Sequence, residues 1–189
     1  MQQGLVTGHV VRKLGPNEGR TIAVGGTRLI WKATGEDTGF ATSAYEMELT
    51  PGNGIPMHSH AYAEIFYIIS GQTDFVWIDI DDQEHWVRCS AGDTLVAPIN
   101  VLHAFHNRTK EPTRFMSFST YYHQVGLDKY GMAVSIDDPL PPPQEPTEAD
   151  GKQYLEVLKD ASKTVDMYFP LMHAKNGMEI FEDLAKRNL

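Results

Sequence analysis

This 189-residue chain has a single cysteine, Cys89, so no disulfide can form within it. The simplest role for that thiol is a small residue in a strand. Basic residues are also scarce, 16 against 25 acids, for a formal charge of −9. That balance speaks against non-specific binding to nucleic acid or an anionic membrane, and the excess acids are spread along the chain as solubilising surface. No apolar run approaches the length of a membrane span, and the start of the chain lacks the charged-then-apolar pattern of a secretory signal. The expectation from these absences is a cytoplasmic protein that binds neither nucleic acid nor membrane.

Long helical patterns are missing as well between about Thr27 and Tyr122. Short segments rich in β-branched and aromatic residues alternate with turn signals such as Ser70-Gly71, Asp81-Asp82-Gln83 and Ser90-Ala91-Gly92-Asp93. Tyr45, Met47 and Leu49 alternate with Glu46 and Glu48, which predicts a half-buried strand with its acids toward water. Arg114 to Tyr122 reads as the last strand. The pattern predicts an all-β antiparallel barrel or sandwich over residues 1–136, with a core at about 27–122. Residues 137–189 differ. Asp138 to Pro146 is too proline-rich for helix or central strand and reads as an extended strap. Thr147-Glu148-Ala149-Asp150 then resembles a helix start, and two helical stripes follow, one through Tyr154, Leu155, Leu158 and Ala161, the other through Met178, Phe181, Leu184 and Ala185. These helices have two candidate roles, covering the barrel or packing on a partner subunit.

The chemistry concentrates between Gly52 and Gly71. His58 and His60 are one residue apart, so in extended backbone their side chains point the same way, and Glu64 keeps that parity. Two imidazoles and a carboxylate suit a divalent transition metal, Fe, Mn, Ni, Co or Zn. His103 is the leading candidate for a fourth ligand. His106, three residues on, falls on the opposite face and is excluded. His9, His85, His123 and His173 read as core or surface residues. Asn107-Arg108-Thr109 matches a glycosylation acceptor but is discounted.

Gly52, His58, His60, Glu64 and Gly71, followed by Gly92, Pro98, His103 and Asn107, resemble at these spacings the two motifs of the cupin superfamily. Asn100 stands where the second motif has its middle glycine, and asparagine tolerates the left-handed turn required there. The resemblance implies a small double-stranded β-helix barrel with a metal held inside by His58, His60, Glu64 and His103, and a homodimer. Three neutral imidazoles and one carboxylate would leave a divalent ion with net charge +1, and two positions of a six-coordinate ion stay open for an anionic chelating substrate or for a substrate oxygen and O₂. Parity places Tyr45, Met47, Phe66, Ile68, Phe75, Trp77 and Phe105 around the substrate, with Tyr62 close enough to donate a hydrogen bond. An aromatic, apolar pocket favours an aromatic or enolic, polyketide-like molecule. Pro56 to Ala61 and Glu64 to Ile68 are similar to quercetinase-like single-domain dioxygenases, in which the glutamate ligand also acts as base; Glu64 and Tyr62 would then be the catalytic residues. The alternatives are a non-redox lyase, isomerase or decarboxylase, or a small-molecule binding module.

Overall fold

A computed structural model describes residues 11–24, 26–139 and 145–188. Twelve strands are described in three sheets. The largest has seven strands, in the order β11-β1-β2-β3-β10-β5-β8. These are β11 (Met132–Ala133), β1 (Thr21–Val24), β2 (Thr27–Ala33), β3 (Ser43–Leu49), β10 (Thr113–Ser119), β5 (Glu64–Ser70) and β8 (Thr94–Ala97). Facing it is a three-stranded sheet, β7 (Glu84–Ser90), β6 (Gln72–Ile78) and β9 (Leu102–His106). The third is a two-residue pairing of β4 (Ser59–His60) with β12 (Met167–Tyr168). All named pairings are antiparallel.

The period-two pattern places the core. Tyr45, Met47 and Leu49 of β3 point inward, where they meet Leu29 and Trp31 of β2, Phe115 of β10, Phe66 and Ile68 of β5, Phe75 of β6 and Phe105 of β9. Phe66 touches Phe75, Phe105 and Phe115 at ring-centroid separations of 5.0, 5.7 and 5.7 Å, tilted or edge-on. Each such aromatic contact is worth about 0.5–1.5 kcal/mol beyond the apolar area that the rings bury. On the outer face Glu48 follows expectation, but Glu46 is buried, because Arg114 of the neighbouring strand donates to its carboxylate from Nε at 2.6 Å and Lys32 approaches from the other side. Cys89 is a buried strand residue.

Ser70-Gly71 is a corner at which the chain leaves the large sheet for the small one. Gly71 has φ +74°, and a Cβ there would lie 2.7 Å from the carbonyl oxygen of Pro112, so both conformation and space require glycine. The segment after it forms the β6–β7 hairpin. Asn100 adopts φ +61° and donates its N–H to the His60 carbonyl, which is the left-handed turn expected of a residue replacing glycine.

The chain beyond β10 departs from the sequence reading. The strand ends at Ser119, and Tyr121–Tyr130 form a helix, α1, where none was expected. Its buried residues are His123, Gln124 and Gly126, so it presents no apolar stripe to read. Gln124 is held by accepting from the Gly35 N–H and donating to Glu36. The two later helices lie where their stripes put them, at Glu148–Thr164 (α2) and Met178–Arg187 (α3). Thr147 caps α2 through a reciprocal box with Asp150. Leu155, Leu158, Ala161, Val165, Phe169 and Ile180 form a second core cluster between these helices and β12. The strap expected at Asp138 to Pro146 falls largely on residues 140–144, and His9 on residues 1–10, both outside the described residues.

Candidate metal centre

His58 lies just before β4, tied to His103 of β9 by two backbone hydrogen bonds of 3.0 and 2.8 Å. This bridge brings the two ends of the motif region together across the fold. His60 is on β4 and Glu64 opens β5. One donor atom from each of His58, His60, Glu64 and His103 lies within 4.8 Å of the others, and all four residues are buried. The backbone aims the imidazoles. Nδ1 of His58, His60 and His103 donates to the carbonyls of Pro56, Tyr62 and Val101 at 3.0, 2.6 and 2.9 Å. That fixes the tautomer and turns each Nε2 toward the cluster. Nε2 of His60 and of His103 is buried with no hydrogen-bond partner. Buried polar atoms are rarely left so, and a divalent cation at the centre would satisfy both. The donor set therefore fits a divalent metal.

Glu64 is held on both sides. Its Oε1 accepts from the Tyr45 hydroxyl at 3.1 Å and from Ser117 Oγ, while Oε2 faces His60 Nε2 at 3.5 Å and His103 Nε2 at 4.0 Å. Burial alone would raise this carboxyl's pKa, but His123 and the neighbouring His103 and His60 outweigh it and hold the group well below the usual range. Burial and the charges of His103 and His60 push His58 far down. Glu64 is thus a carboxylate and His58 a neutral imidazole, the forms a metal requires.

A cavity of about 130 Å³ adjoins the cluster and reaches His58 and Glu64. Of the expected pocket residues, Tyr45, Met47 and Phe105 line it. Phe66, Ile68 and Phe75 instead fill the apolar core, and Trp77 lies over the His85 ring at 5.2 Å. Tyr62 is also absent from the wall. Its ring is stacked on His60, 4.2 Å away and nearly parallel, with its hydroxyl buried and unpartnered. Burial and the Glu64 charge raise that phenol's pKa. The side chain best placed to act beside the cluster was missed. His123 of α1 lines the cavity, with Nδ1 unpartnered and 3.6 Å from Glu64 Oε1. Burial lowers its pKa and favours the neutral imidazole, though the Glu64 charge opposes this. Nothing near His123 in the sequence marks it, since its partner is nearly sixty residues away. Ser117 was missed too; its parity with Phe115 on the strand puts it on the inward face, where β10 pairs it with Tyr45 and Phe66.

His106 points away from the cluster, as its parity requires; its Nδ1 donates to Asn188 Oδ1 at 2.9 Å. His85 is paired with Asp79 at the surface, and His173 sits in a short 3₁₀ turn. Asn107 braces its own turn, donating to the carbonyls of Leu49 and Glu111 and accepting from Thr109, and is fully buried.

Residues 45–119 match the family model of the cupin domain. Solved structures share the fold. One is the polyketide cyclase RemF from Streptomyces resistomycificus, with TM-score 0.52 and 16% identity over 59% of this chain and 80% of that one. Another is an oxalate decarboxylase variant from B. subtilis, with TM-score 0.51 and 14% identity over 76% of this chain. The match spans 48% of the decarboxylase, about half its length. No curated protein sequence matches the chain. The protein has a cupin fold, a β-sandwich with helices at its C-terminal side, and carries within it a buried His/Glu cluster of the kind that holds a divalent metal. Among the described residues no helix is long and apolar enough to cross a membrane.

Proposed function

We propose that this protein is a metal-dependent enzyme, a dioxygenase acting on an aromatic or enolic small molecule. The observation that carries the reading is the buried cluster of three histidines and one glutamate, with two unpartnered Nε2 atoms, opening into an apolar cavity. A divalent metal held by His58, His60, Glu64 and His103 would supply a Lewis acid and, for a redox-active ion, a site for O₂ chemistry. The chain's own residues do the rest. Tyr45 and Ser117 orient Glu64. Because they and the surrounding histidines stabilise its charged form, Glu64 is a better ligand than base. His123 Nδ1 has no other partner and takes the role of accepting the proton from a substrate hydroxyl. Phe169, stacked over His58 at 5.5 Å, and the walls around it exclude water.

A second reading keeps the same residues and drops the oxygen. His123 beside a pinned carboxylate serves proton transfer in a lyase, isomerase or decarboxylase equally well. Shared fold with a polyketide cyclase and an oxalate decarboxylase does not decide between the two. The test is metal content of the purified protein, followed by turnover of a panel of enols and catechols with and without O₂. Oxygen uptake that is lost in Glu64→Ala supports the dioxygenase. Turnover that persists anaerobically selects the second reading, and no uptake with Fe, Mn, Ni or Co loaded removes the first. A homodimer belongs to the same reading, with sedimentation velocity as its check.

A further inference from the structure

We infer that the substrate is compact, about the size of a single ring, with one oxygen-bearing chelating end and an apolar remainder, and that helix α2 sets its length. The inference rests on the metal-enzyme reading above and narrows it.

Chemistry is confined to one end of the cavity. His58, Glu64, His123 and Tyr45 lie together, with Tyr45 and His123 both beside the Glu64 carboxylate. Apart from the hydroxyls of Tyr130 and Tyr154, the remaining wall is apolar. Helix α2 contributes Val157, Leu158 and Ala161, β12 contributes Met167, and Phe169 follows it. The hydroxyl of Tyr130, which also lines the cavity, is already given to Asp160. Among the described residues no lysine, arginine, asparagine, glutamine or aspartate lines this space. A sugar, a phosphate ester or a dicarboxylate would therefore bring more polar groups into the wall than the Tyr154 hydroxyl could pair, at a cost of several kcal/mol for each group left unpaired. A substrate with a single polar head avoids that cost.

Volume sets the size. At about 130 Å³ the cavity is close to the ~150 Å³ apolar cavity that accepts a benzene molecule. On that comparison the space between the cluster and α2 matches one ring rather than the three of a flavonol, which narrows the polyketide-like substrate expected from the aromatic wall to one ring or a short enolic chain. The boundary is made by side chains outside the motif region.

The experiment titrates catechol, oxalate and quercetin into metal-loaded and metal-free protein by calorimetry, with metal content measured before and after. The wild type is compared with Val157→Phe, at a half-buried position, and Ala161→Leu. Catechol is expected to bind at least tenfold more tightly than oxalate or quercetin. Both substitutions should weaken catechol at least tenfold and leave metal content unchanged. Oxalate or quercetin binding as tightly as catechol to the wild type overturns the inference, whether or not the variants fold. So does a folded variant that binds catechol normally. Protein that takes up no metal yet still binds catechol ahead of the others overturns the enzyme reading and leaves the inference about the cavity standing.

Discussion

Lowering the pH from 7 to 5 should destabilise this protein through His106 in particular. That imidazole is fully buried where β9 ends, with Nδ1 donating to Asn188 and Nε2 facing no partner. A proton added to Nε2 has nothing to bond. Burial, reinforced by Arg187 and Arg108 and only partly offset by the Asn188 hydrogen bond and Asp183, lowers its pKa to about 4. In the unfolded chain the same group titrates near 6.5. Between these values the unfolded state binds the proton and the folded state does not. Stability is therefore complete above pH 6.5 and falls as the pH drops toward 4. Linkage gives a loss of about 2 kcal/mol at pH 5 and about 3 kcal/mol at pH 4. Urea unfolding at pH 7 and pH 5, with chelator present, should show the wild type losing about 2 kcal/mol more than His106→Gln, which keeps a donor for Asn188 and cannot titrate. The other buried histidines contribute equally to both proteins and cancel. Equal losses in the two would refute the reasoning.

Asn100→Val should cost about 1–2 kcal/mol, since a β-branched residue is forced to φ +61°, whereas Asn100→Gly should be nearly neutral by thermal unfolding. Thr147→Ala removes the capping box of α2 and should lower stability by about 1 kcal/mol in denaturant titration. Truncation after Ile136 removes α2, β12 and Phe169 and uncovers the cavity, and should give insoluble or monomeric protein; a soluble dimer of unchanged size on gel filtration would contradict this. His58→Ala should bind less metal by mass spectrometry than His106→Gln, which lies on the other face.

What the sequence made legible follows from interaction range. The cluster could be read because His58, His60 and Glu64 share one short extended segment and the pitch of a strand is a local property. Asn100 was readable because only a few residue types tolerate its backbone, and Thr147 because a cap is spelled out in four residues. α1 was not readable. Its buried residues are His123, Gln124 and Gly126, of which Gln124 is held by polar contacts to a distant loop and His123 faces Glu64, and hydrophobic periodicity cannot report such a face. Parity tells which way Phe66, Ile68, Phe75 and Trp77 point but not how far along the barrel they sit; the first three lie in the apolar core and Trp77 over His85. Glu46 was expected in water because its pairing to Arg114 spans 68 positions.

The two-residue pairing of β12 with β4 has a kinetic consequence. Met167 pairs directly with His60, and the ring of Phe169 covers His58. An ion held at the cluster would be covered on that side by this short clasp, so its exchange with a chelator should quicken when the C-terminal segment is detached.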